Sequence, residues 1–79
     1  MLVKHYTYFS ERLLHTGLSF EDAKALCQKY AAEVGSERLG QSHRDIEAPM
    51  TCKVPFQIEV KTMTAEAGDV LDLYTVENE

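Results

Sequence analysis

The side chains of this chain best suited to act as nucleophile, base or metal ligand are His5, His15, His43, Cys27 and Cys52. A zinc site requires ligands at short, fixed spacings, and neither the two cysteines nor the scattered histidines provide one. A Cys/His nucleophile requires a thiolate held in polar, partly exposed surroundings. Cys27 falls instead on the apolar stripe of a helical pattern and Cys52 on the apolar face of an alternating segment, so both read as small, reduced core residues. The densest polar cluster is His43, Arg44 and Asp45, able to hold an anion or orient one another. Neighbours on a loop diverge, however, and solvated charge is the simpler account. Gly17, Gly35, Gly40 and Gly68 stand singly beside turns or helix ends and build no phosphate cradle. The sequence therefore predicts no catalytic residue, no metal and no cofactor.

The elements that would position these residues begin with Met50–Val60, where Met50, Cys52, Val54, Phe56, Ile58 and Val60 alternate with Thr51, Lys53, Pro55, Gln57 and Glu59. Period-2 alternation predicts a strand with one face on a core and the other in water. Pro55 has no N–H for a ladder, so the strand is expected to be an edge there, or to bulge or split. A helix is expected over about 20–34. Ser19 can cap it with Asp22 at the third position, and Gly35 can end it. Its packed stripe would be Phe20, Ala23, Leu26, Cys27, Tyr30, Ala31 and Val34.

Leu2–Phe9 is rich in aromatic and β-branched residues and reads as a strand. Ser10–Arg12 would turn it into a short second strand over Leu13–Thr16. The competing reading makes Glu11–His15 a helical turn, which has little nucleation advantage at that length. Residues 36–48 are polar and read as a loop, with Arg38, His43 and Arg44 as contact candidates. A turn at Thr64–Asp69 and a final strand over Val70–Val76 complete a single domain spanning 1–79. The fold class is α+β, a small antiparallel sheet with one amphipathic helix packed on one face, in the order ββαββ.

With 79 residues, 44% hydrophobic and 27% charged, the chain has the composition of an ordinary globular domain. Domains this small have a thin stability margin, which makes a homodimer a reasonable expectation. No apolar run approaches the ~20 residues that span a bilayer, and residues 1–9 lack the apolar core of a signal peptide, so a cytoplasmic protein without membrane contact is expected. The net charge of −5 is uneven. Acids and bases balance as far as Ile58, whereas Glu59, Glu66, Asp69, Asp72, Glu77 and Glu79 face only Lys61 beyond it. That disfavours direct binding to nucleic acid, whose partners gather Lys and Arg.

The expected function is a non-enzymatic binding or regulatory module acting by protein–protein contact or self-association. If Leu71 and Leu73 meet the helix, Val70, Tyr74 and Val76 form an apolar patch on the outer face of the sheet. The alternative is an acidic inhibitor, of the type mobile elements deploy, whose Glu66, Asp69 and Asp72 would occupy the basic groove of a nucleic-acid-binding protein. A small enzyme ranks third.

Overall fold

The computed structural model describes residues 1–37, 41–62 and 70–79. In chain order the elements are β1 (Leu2–Thr7), β2 (Glu11–His15), α1 (Phe20–Glu37), β3 (Gln41–Glu47), β4 (Phe56–Thr62) and β5 (Val70–Glu77). The strands form one antiparallel sheet in the order β2-β1-β5-β4-β3, with α1 packed on one face. The α+β class and the N-terminal hairpin match the sequence expectation, and β3 adds a fifth strand. Among the described residues no helix is long and apolar enough to cross a membrane.

The helix starts where its cap requires. The Ser19 hydroxyl accepts from the Asp22 amide at 3.2 Å, and Glu21 and Asp22 lie at the positive end of the helix dipole. Ala23, Cys27 and Ala31, spaced by four, are buried against the sheet, flanked by half-buried Phe20, Leu26, Tyr30 and Val34. Small side chains along the centre line let the helix approach closely. Gly35 does not end it, since the helix continues to Glu37.

Direct pairing sets the face of each strand residue, because partners across an antiparallel ladder project to the same side. Val3 pairs with Val76, Val76 with Phe56, His5 with Tyr74, and Tyr74 with Ile58. Val3, Phe56, Ile58, Val60, Tyr74 and Val76 therefore form the helix-facing core, and all are buried. This corrects the expected facing of β5: Tyr74 and Val76 lie under the helix and form no outer patch. Val70 stands at the start of β5, paired with Lys61.

Residues 41–47, expected as loop, form the edge strand β3 in continuous register with β4. His43, Arg44 and Asp45 are exposed, and alternation places Arg44 on the face opposite the other two. The alternating segment from Met50 is strand only from Phe56 onward. Because β4 lies inside the sheet, Pro55 sits just ahead of it, where its carbonyl accepts from Ala48 N–H at 2.9 Å. Residues 49–54 turn instead, closed by Cys52 N–H to Pro49 carbonyl at 2.9 Å. Asn78 then clamps this turn, its side-chain amide donating to the Met50 carbonyl at 3.0 Å and the Cys52 carbonyl at 2.7 Å. Cys52 is consequently exposed rather than packed, while Cys27 is buried as expected.

Candidate functional site

The hairpin turn falls earlier than its sequence suggests. Thr7 N–H donates to the Ser10 carbonyl at 2.8 Å, so Tyr8 and Phe9 occupy the two central turn positions and β2 starts at Glu11. Two-residue hairpin loops favour Asn-Gly or similar pairs with positive φ. Tyr8 and Phe9 both keep negative φ, and the turn is held by the flanking hydroxyls of Thr7 and Ser10, 2.7 Å apart. The aromatic rings are 88% and 91% exposed and meet edge to face at 4.8 Å. Neither ring reaches the core, and neither is required by the turn.

On the helix-facing side an open cleft of about 410 Å³ lies between the sheet and the second half of α1, lined by His5, Arg12, Leu14, Tyr30, Glu33, Val34 and Tyr74. Pairing of β1 with β2 sets Arg12 beside His5, while Tyr30, Glu33 and Val34 share one side of α1 through spacings of three and four. The floor is a run of nearly parallel rings. His5 stacks on Tyr74 at 4.4 Å and 9°, and Tyr74 on Tyr30 at 5.9 Å and 11°. Asp72 is 3% exposed and holds His5 Nε2 at 2.7 Å through Oδ1. A buried carboxylate requires such partners, and this one fixes the imidazole ring in place.

The opposite face of the sheet carries no second layer among the described residues. Its centre is polar: Glu77, 4% exposed, accepts from the Tyr6 hydroxyl at 2.6 Å and the Thr75 hydroxyl at 2.8 Å through Oε2, with Lys4 Nζ 3.7 Å from Oε1. Burial alone would raise the Glu77 pKa, but those hydrogen bonds and the charges of Lys4 and Lys53 outweigh it and hold the carboxyl below its usual range. Burial and the Glu77 hydrogen bond raise the Tyr6 phenol. Desolvation pushes the Cys27 thiol up to about 12, which suits an inert core residue.

The residues singled out from sequence do not converge. Tyr74 and Asp72 both bear on His5, the first by stacking and the second by a hydrogen bond, and Val76 is core. His43 and Arg44 lie on the far edge strand. Arg38, Glu66 and Asp69, with the turn at 64–69, lie outside the described residues. Burial of Asp72 against His5 removes it from any exposed acidic surface. Sequence reasoning did not single out Tyr8, Phe9, Arg12, Tyr30 or Glu33. A signal existed for the first two, because Thr7 and Ser10 are hydroxyl residues able to close a turn around them. Among the described residues, no group of three His, Cys, Asp or Glu side chains is arranged to hold a metal ion. Comparison with protein-family models, curated proteins and solved structures returned no match.

Proposed function

We propose that this protein is a contact module that works by protein–protein association, through the hairpin tip formed by Tyr8 and Phe9. One observation carries the reading: two adjacent large aromatic side chains are almost fully exposed at a turn whose geometry does not call for them. Exposed aromatics cost solubility, and aromatic side chains dominate binding energy at interfaces by filling a partner's apolar pocket. The rigid hairpin presents the pair at little entropic cost, since its strands already belong to the sheet.

The test uses Tyr8→Ser/Phe9→Ser, a double substitution that leaves the core intact and is expected to change stability by no more than about 0.5 kcal/mol. Sedimentation equilibrium across a micromolar range reads self-association. A photo-crosslinking amino acid at position 9 reads contact with another protein in cells that make it. The reading expects a dimer or a discrete crosslinked adduct that excess wild-type protein competes away and the double variant does not. Equal behaviour of wild type and variant in both assays would retire it.

A further inference from the structure

We infer that the cleft between α1 and the β1–β2 hairpin is a binding site for a small organic carboxylate with an apolar body. The inference stands apart from the hairpin-tip contact and concerns a different part of the surface.

Two polar groups point to an anion. The Arg12 guanidinium has no hydrogen bond or ion pair among the described residues, although it lines the cleft beside His5. His5 is committed to Asp72 through Nε2, while Nδ1 has no partner among the described residues. A planar guanidinium fork matches a carboxylate in shape as well as in charge. The remaining lining sets the rest of the ligand. Leu14 and Val34 supply aliphatic surface and Tyr30 an aromatic one, and Glu33 lines the helix side. The carboxylate therefore belongs on the strand side, at Arg12 and His5, with its apolar body against Leu14, Tyr30 and Val34. A volume of about 410 Å³ lies within the range of small-molecule sites.

Benzoate is the probe, with benzyl alcohol as its uncharged counterpart and acetate as the carboxylate without a ring. Amide and side-chain resonances of His5, Arg12, Tyr30 and Val34 should shift and saturate with benzoate, and both controls should bind at least about tenfold more weakly. Arg12→Gln, at an exposed strand position, should stay folded and weaken benzoate by about tenfold. Absence of saturable shifts, or an unchanged affinity in folded Arg12→Gln, would overturn the proposal.

Discussion

Tyr6 on the first strand gives its phenolic hydrogen to Glu77 on the last, oxygen to oxygen 2.6 Å apart, across a sequence separation of 71 residues. The bond joins the two strands at the middle of the sheet and draws a buried carboxylate into a set of donors that also includes Thr75. Because the folded carboxyl titrates below its ordinary value, its contribution to stability is complete above the unfolded-state pKa and is lost as pH falls through the folded one.

Acid titration should therefore reveal Glu77. Replacement by Gln is expected to cost about 1–3 kcal/mol at neutral pH, because hydrogen bonds to a charged acceptor are lost. It should also flatten the decline of stability below about pH 4.5. Urea midpoints measured from pH 3 to 7 on both proteins check this, and parallel pH profiles would contradict the assignment.

The core should show the β4 register. Phe56 is fully buried beneath the helix with Lys24 Nζ 5.2 Å from its ring centre, whereas Gln57 faces the other way. Phe56→Ala is expected to cost about 3–5 kcal/mol and Gln57→Ala less than about 0.5 kcal/mol. Comparable losses in chemical denaturation would show the register to be wrong.

The two thiols should separate kinetically. Cys52 is exposed and should react promptly with a thiol reagent in the native state, whereas Cys27, buried and with its thiolate disfavoured, should react only on opening of the fold. Mass spectrometry after a brief pulse should find a single label, on Cys52. A label on native Cys27 would show that the helix does not seal the core.

Asn78 should govern the turn before β4. Asn78→Ala removes both side-chain bonds to the Met50 and Cys52 carbonyls and is expected to cost about 1–2 kcal/mol. Amide exchange should speed up at residues 49–54 more than in β1 or β2. Uniform acceleration across the sheet would indicate a general loss of stability and no local clamp.

What the sequence reveals of this fold follows apolar pattern. The α1 stripe and the Phe56–Val60 alternation are both strong, and both elements form. β3 is harder to read because an edge strand of a one-layer sheet covers little: only Ile46 in its described interior is half-buried, and charged edges resist unwanted pairing. Met50, Cys52 and Val54 continue the period of β4 without its hydrogen bonds, since Pro55 interrupts the ladder and Asn78 draws the preceding carbonyls into a turn. In β5 apolar residues occur on both faces, so the pattern leaves open whether Leu73 or Tyr74 meets the helix. The cleft depends on cross-strand pairings over long separations, His5 with Asp72 above all, which no local motif encodes.

The central position of the β1–β5 pair has a mechanical consequence. Leu2 pairs with Glu77 at one end of that pair and Thr7 with Asp72 at the other, so residues 1 and 79 leave from the same end. Tension applied between them pulls along the inter-strand hydrogen bonds rather than across them, loading one rung at a time. The sheet then parts as a zipper does, separating the β1–β2 hairpin from the β3–β4–β5 meander at low force, although neither strand of the ruptured pair lies at an edge.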